Sequence, residues 1–449
     1  MCSPKRTANL AVLLPDAGKK PTLIFEQQYL NHMLTRRISF GLDPPELARE
    51  FGTPLYIVNL DTLEYNFLRL HRALLKADID HKILYAVKAN PLLAVLRRVV
   101  QLGGGAEVVS LGEMEAARRA GFSPKDVVFN GPGKSTQEIE EAVKWSVGSL
   151  NVESIQELEM VAETCKKLSH MANIGFRINP GVSTRTHRYL LTGSTGGKFG
   201  LDPPSFRQAL QLVKKNKLLN PTSVHMHFGS QISKGSDFRV AYRKLVQSAN
   251  LYQKTLRKAP EIIDAGGGLG LDYANGKLSL EPESYVSRVV RPVVSSRAWP
   301  ASSKFVVEPG RYLVAQAGTL AMKVLYVKKT VGANWLITDC GMSDFMRTAL
   351  YSDKHRIVNA SRPAGHKQRY SIGGPVCESG DVFGCYDLPK TERGDILVLL
   401  DAGAYGSVMS SNYNGRQRPA TVAVSDGKAW PCERRETLDD LFRRQLQLA

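Results

Sequence analysis

The chain has 449 residues, 43% hydrophobic and 23% charged, the balance of a soluble globular protein too long for one hydrophobic core, so two domains are expected. No apolar run approaches the roughly 20 residues that span a bilayer, and Leu10–Leu14 is cut short by Pro15, a poor signal peptide; a cytoplasmic protein with no membrane partner is expected. Sixty basic against 42 acidic residues give +18, but the Lys and Arg are scattered, with no basic block and no interleaved aromatics, so no nucleic-acid partner is expected.

The first 20 residues carry no periodicity. From Pro54 a rhythm begins. Strand-like Leu55–Val58 precedes a helical pattern over 60–75; Ile83–Val87 precedes 92–102; Glu107–Val109 precedes 112–120; Val127–Asn130 precedes 136–143; and Ser149–Val152 precedes 155–168. Ile174–Ile178, Ser223–Phe228, Glu261–Asp264 and Ser303–Val307 continue the strand series. Short strands alternating with helices imply a parallel sheet with helical crossovers, and about eight units fit a closed (β/α)8 barrel better than an open sheet. After Gly310 the pattern becomes strand-like with Gly and Pro punctuation: Leu320–Lys328, Trp335–Asp339, Ile396–Leu400 and Ala420–Ser425 predict an all-β second domain, a β-barrel or β-sandwich. The fold class is thus α/β plus all-β, with the barrel over 49–309 and the β domain over 310–449.

The active site of such a barrel lies at the C-terminal ends of its strands, and chemically capable residues gather there. Lys88 closes Ile83-Leu84-Tyr85-Ala86-Val87. A strand-end lysine can snorkel to water; held neutral, it can form a Schiff base with a carbonyl cofactor. His227 follows Val224-His225-Met226, close to Ser230. His225 and His227, two apart, share a face if the strand runs through them, but no third ligand stands at a matching spacing, and no metal is expected. His225 reads as an interior histidine. Gly266-Gly267-Gly268-Leu269-Gly270 is either a tight turn or a loop turning its amides toward a phosphate; it lacks the dinucleotide-binding pattern. Glu308-Pro309-Gly310-Arg311 follows another strand. A carboxylate such as Glu308 can keep a pyridine nitrogen protonated, and Arg311 can grip a carboxylate or phosphate in bidentate fashion. Arg347 and Tyr351, four apart, share a face if their segment is helical. The six cysteines form no CxxC pair or zinc spacing.

Taken together, Tyr85-Ala86-Val87-Lys88-Ala89-Asn90, His227-Phe228-Gly229-Ser230-Gln231, Gly266-Gly267-Gly268, Glu308-Pro309-Gly310-Arg311, Cys377-Glu378-Ser379-Gly380-Asp381 and the stretch 405–414 resemble the diaminopimelate decarboxylases, in the alanine-racemase-like class of pyridoxal-phosphate enzymes, from about Gly52 to Phe442. The resemblance implies that Lys88 carries pyridoxal 5'-phosphate, His227 stacks on its ring, and Glu308 pairs with the ring nitrogen. It implies that Ser230, the amides near Gly268 and Gly310, and Tyr405 hold the phosphate, with Arg311, Arg347 and Tyr351 gripping a distal carboxylate and Glu378 near the amine. Cys377 is the implied proton donor, reaching with Glu378 into the other subunit of a homodimer, and residues 21–48 join the β domain.

The implied reaction is decarboxylation of meso-2,6-diaminopimelate to L-lysine. A second decarboxylase reading, on D-ornithine, D-lysine or a related diamino acid, is kept open by departures from the family pattern: Leu111, Ser343, Thr348, Ser352-Asp353-Lys354 and the segment 193–198. A catalytically inactive binding or regulatory protein is the third reading. It is disfavoured because Lys88, Glu308 and Cys377 are all present.

Overall fold

The computed structural model describes residues 42–182, 193 and 196–446. The N-terminal segments 1–20 and 21–41, and residues 194 and 195 of the departure at 193–198, therefore lie outside the described residues.

Eight parallel strands close into a barrel: His81–Ala86, Gly105–Val108, Val127–Phe129, Ser149–Val152, Ala172–Arg177, Leu219–His225, Ile262–Asp264 and Lys304–Val307. Each pairs with the next, and the last returns to the first through Val307 opposite Ile83. Helices 93–101, 111–120, 136–145, 155–168, 203–215 and 235–256 alternate with the strands. Their starts are written locally. The Ser110, Ser154 and Asp202 side chains each accept an amide of the first turn, and Ser135 with Glu138 forms a reciprocal capping box. Gly121, at φ 96°, ends its helix in the left-handed region open to a residue without Cβ. The helix-facing sides of the barrel strands and the inner helix faces form one continuous apolar core, and Leu84, Val128 and Val306 form a small separate cluster.

One expected barrel strand belongs elsewhere. Leu55–Asn59 pairs antiparallel with Gly318–Thr330 and parallel with Ala420–Ser425, in a nine-stranded sheet separate from the barrel. From Leu55 the chain thus runs in this β-rich unit, enters the barrel through helix Leu60–Lys76 and returns after Val307. Strand-helix alternation is a local signal, whereas the choice of partner strand is made by residues more than 250 positions away. Four further strands of the sheet, Ile357–Asn359, Lys367–Gly373, Val382–Pro389 and Lys428–Glu433, were not legible as alternating runs. Val382–Pro389 and Lys428–Glu433 are the sheet's two ends, and edge strands tolerate the polar residues, Gly384, Pro389 and Pro431 that hide them. A second apolar cluster, including Tyr56, Leu320, Leu336, Phe345 and Leu399, fills this unit. Among the described residues, no helix is long and apolar enough to cross a membrane.

Candidate active site

Parallel registry aligns the strand ends at one mouth of the barrel. Ala86 stands opposite Glu107, Arg177 opposite His225, and His225 opposite Asp264. Lys88 lies in a short 3-10 turn, 87–89, that immediately continues strand His81–Ala86. The turn is fastened to the β-rich unit: the Tyr405 amide donates to Ala89 O at 2.8 Å, and Asn90 Nδ2 donates to Gly403 O at 3.0 Å. Tyr405 has φ 56°, a conformation rare for a side chain of its size, and it persists because both neighbours are held.

Lys88 Nζ donates to Glu107 Oε2 at 2.5 Å. Burial pulls the ammonium toward neutrality, but Glu107, Tyr405 and Glu308 outweigh burial and hold its pKa above the ordinary lysine value. A neutral strand-end lysine, the state the sequence suggested for Schiff-base chemistry, is therefore not the ground state of this amine; buried carboxylates keep it charged.

Asn130 Nδ2 donates to Glu308 Oε1 at 2.7 Å and to Glu107 Oε1 at 3.2 Å, tying the two carboxylates together. Asn130 is held in turn by Asn151 Nδ2 at 2.7 Å. His225 Nε2 meets Glu308 Oε2 at 3.1 Å. Burial opposes the charge of Glu308, yet His225, Lys88 and His227 prevail and hold its carboxyl well below the usual range. Asp264 moves the other way: burial and the neighbouring Glu308 raise it well above the usual range. His225, Asp264 and Glu308 bring ligand-type atoms within 4.8 Å of one another.

The strand ends at His225, so His225 and His227 do not continue as one pleated face. His225 turns to Glu308, while His227 Nδ1 accepts the Gly267 amide at 3.2 Å. Burial, then the charges of Lys88 and Arg177, hold the His227 imidazole down to about 3, a neutral ring.

Lys88, His227, Ser230, Gly268, Glu308, Gly310, Arg311 and Tyr405 all line one cleft. The glycines there are required by close approach. A Cβ on Gly267 would lie 2.4 Å from Glu308 O, and one on Gly268, whose φ is +117°, would lie 2.7 Å from Ile232 Cδ1. At Gly310 a Cβ would lie 2.9 Å from that of Ala89. Bare amides beside Ser230, a lysine, a neutral imidazole and an ionised glutamate are the donor set that pyridoxal phosphate needs for its phosphate, aldehyde, ring face and ring nitrogen.

At the cleft's margin, Arg311 Nη2 donates to Ser230 Oγ at 3.1 Å and its Nη1 to the Tyr273 hydroxyl. Its guanidinium lies 4.9 Å from the Tyr405 ring centre and 5.6 Å from that of Tyr273. Arg347 and Tyr351 do share a face of a helix, 347–351, with the guanidinium 4.9 Å from the Tyr351 ring; the same guanidinium lies 5.3 Å from Tyr273 and 5.8 Å from Tyr405. Two arginines therefore converge on one pair of tyrosines. Cys377 and Glu378 stand apart from this cleft: both are exposed, the Cys377 amide donates to Asn414 Oδ1 at 2.8 Å, and Glu378 Oε1 accepts the Tyr413 hydroxyl at 2.6 Å.

Sequence reasoning passed over Glu107, Asn130, Asp264 and Tyr273 and read His225 as interior. Glu107 and Asp264 carried a usable signal, since each is an acidic residue inside a predicted barrel strand. Tyr273 lies beyond the glycine loop and carried none.

A lysine, a low-pKa glutamate and a glycine cradle at the mouth of a parallel barrel define a pyridoxal-phosphate-dependent decarboxylase of the two-domain kind, and the comparisons agree. Residues 61–315 match the family described as pyridoxal-dependent decarboxylase, pyridoxal binding domain. The diaminopimelate decarboxylase of Methanocaldococcus jannaschii is 36% identical over 414 residues, covering 90% of this chain and 94% of that protein. That of Archaeoglobus fulgidus is 38% identical over 409 residues, covering 90% and 96%. The crystal structure of diaminopimelate decarboxylase from Helicobacter pylori complexed with L-lysine superposes with a TM-score of 0.83 at 36% identity, covering 89% of this chain and 98% of that one. The chain belongs to the diaminopimelate decarboxylase family, and its cofactor is pyridoxal phosphate.

Proposed function

We propose that this enzyme decarboxylates meso-2,6-diaminopimelate to L-lysine and carbon dioxide. The observation that carries the reading is the convergence of Arg311 and Arg347 on Tyr273 and Tyr405 beside the Lys88 cleft. Asp353 meets Arg347 through a single guanidinium nitrogen, so two buried guanidinium groups face one protein carboxylate, and a substrate with a second carboxylate supplies another anion. The 36% identity to relatives of that name supports the same substrate.

The residues lining the Lys88 cleft would hold pyridoxal phosphate, which would supply an electron sink for the pair released when the bond from Cα to a carboxylate breaks. This chain's residues supply the rest. The Lys88 amine anchors the cofactor and later releases the product. Glu308, kept ionised by His225, holds a proton on the ring nitrogen. His227 offers a neutral face to the ring. Ser230, Tyr405 and the amides of Gly268 and Gly310 take the phosphate. Arg311, Arg347 and Tyr351 fix the distal carboxylate, which leaves the reacting carboxylate at the ring. Cys377 donates the proton to Cα and Glu378 meets the distal amine, both from a second copy of the chain in a homodimer, because neither lines its own cleft. The same reading assigns 49–309 to the barrel, with Leu55–Asn59 excepted, and 21–48 with 310–449 to the β domain, in a cytoplasmic enzyme.

Decarboxylation of D-ornithine or D-lysine is the second reading. It gains weight from one contact, the ion pair of Arg347 with Asp353, which partly neutralises the distal site. Carbon dioxide release from meso-diaminopimelate, D-lysine and D-ornithine separates the two. The proposal expects the dicarboxylate to have the highest kcat/KM; a higher value for either monocarboxylate overturns it.

A further inference from the structure

We infer that Asp353 is an internal competitor for the carboxylate that Arg347 receives from a ligand, so that it sets how tightly and how selectively the cleft takes a second carboxylate. The inference deepens the proposed function and rests on Arg347 as the receiver of that group.

Arg347 is 2% exposed, and its Nη2 donates to Asp353 Oδ2. The guanidinium is otherwise walled by the rings of Tyr273, Tyr351 and Tyr405, and its Nε has no hydrogen-bond partner among the described residues. Nη2, one of the two donors of an edge that a ligand carboxylate would take, is thus already held by a carboxylate of the protein. Asp353 reaches it because the helix 347–351 stops at once: Ser352, at φ 55°, turns the chain into the left-handed region and folds the next residue back along the helix. The two partners differ in mobility of environment. The Asp353 side chain is 22% exposed against 2% for that of Arg347, so the carboxylate sits at the wet end of the pair and can leave toward solvent while the arginine stays. Its charge is also felt by Arg311, the other cation of the distal site.

A planar guanidinium edge takes one carboxylate at a time in bidentate fashion. A ligand must therefore displace Asp353, and its apparent affinity is lowered by the fraction of Arg347 already occupied. Removing Asp353 frees that edge and leaves a buried cation whose charge only a ligand can meet, so both effects tighten carboxylate ligands. A diamine with no carboxylate gains from neither.

The test uses pyridoxal-phosphate-saturated enzyme, wild type against Asp353→Asn and Asp353→Ser, titrated calorimetrically with L-lysine and with 1,5-diaminopentane. Melting curves of the loaded proteins establish which variants are folded, and either one suffices. Expected is a Kd for L-lysine lower by about tenfold or more, with the Kd for 1,5-diaminopentane essentially unchanged. Unchanged or weaker L-lysine binding in the folded variants overturns the inference and makes Asp353 a support for Arg347. Loss of diamine affinity also overturns it, making Asp353 a receptor for a distal ammonium. Undetectable L-lysine binding to all three proteins overturns it as well. Failure of the proposed function reads differently: tightened L-lysine binding in an enzyme that does not decarboxylate meso-diaminopimelate leaves the inference standing and removes the substrate.

Discussion

Lys88 Nζ and Glu107 Oε2 lie 2.5 Å apart, and the pair sets the protonation of the amine at the centre of the site. The amine is an effective nucleophile only when neutral, whereas Glu107, with Tyr405 and Glu308, holds it charged against the pull of burial. Glu107→Gln should lower the lysine pKa, and each unit of that fall raises the neutral fraction about tenfold. Cofactor-free Glu107→Gln should therefore couple pyridoxal phosphate faster at pH 7.5 than wild type, followed by absorbance. Borohydride reduction should leave the adduct on Lys88 in both. Equal or slower coupling in the variant would show that Glu107 does not govern this amine.

Two buried neutral histidines should each cost stability in acid. Burial, chiefly, holds His227 and His355 each down to about 3, while in the unfolded chain they protonate near their ordinary value of 6.5. Below pH 6.5 the unfolded state therefore binds protons that the folded state refuses. The histidine contribution to stability should be level above about pH 6.5 and be lost progressively as pH drops toward about 3. Glu308 acts in the same direction but only at lower pH, because the unfolded carboxylate protonates near its ordinary 4.5. Glu113, pushed up to about 7, and Asp344, pushed up to about 6, pull the other way over the same range, so the histidine contribution is read from the difference between wild type and a histidine variant. His355→Asn keeps a donor for Leu400 O, which His355 Nδ1 meets at 3.0 Å, and should lower the slope of melting temperature against pH relative to wild type. An unaltered slope would remove His355 from the account.

Arg347→Ala should cut kcat/KM on meso-diaminopimelate by roughly 10²- to 10⁴-fold, because a site built to pair a carboxylate discriminates strongly by that group. The same variant should change any activity on D-lysine far less. Equal losses on the two substrates would show that Arg347 supports the fold of the cleft and does not recognise the distal carboxylate.

The separation of Cys377 from the Lys88 cleft predicts composite sites. Lys88→Ala and Cys377→Ala proteins should each be inactive, yet mixing them under conditions of subunit exchange should recover about a quarter of the wild-type sites, since half of the dimers are mixed and each carries one complete site. No recovery despite exchange shown by mass-tagged subunits would place Cys377 in its own subunit's site or outside the reaction.

Much of this enzyme was legible before folding. Lys88, His227, Gly268, Glu308 and Arg311 each stand at the exit of a predicted barrel strand, and the structure brings all five to one cleft. Periodicity, strand length and glycine clustering are local properties of the chain, so the sequence by itself determined the strand series, the β-rich character of the second unit and the residues on which the cofactor chemistry depends. Tertiary structure decided which sheet Leu55–Asn59 joins, because its partners, Gly318–Thr330 and Ala420–Ser425, are distant in sequence and nothing in five apolar residues encodes them. It also decided the charge of the site. That Lys88 is held as an ammonium and Glu308 ionised follows from Glu107, Asn130 and His225 arriving from three other strands at hydrogen-bonding distance, and electrostatic energies at 3 Å in a buried site have no counterpart in sequence spacing. The pairing of Arg347 with Asp353 joins the two levels. The residues are only six apart, but the turn at Ser352 that brings them together, and the burial that makes their contact matter, exist only in the folded chain.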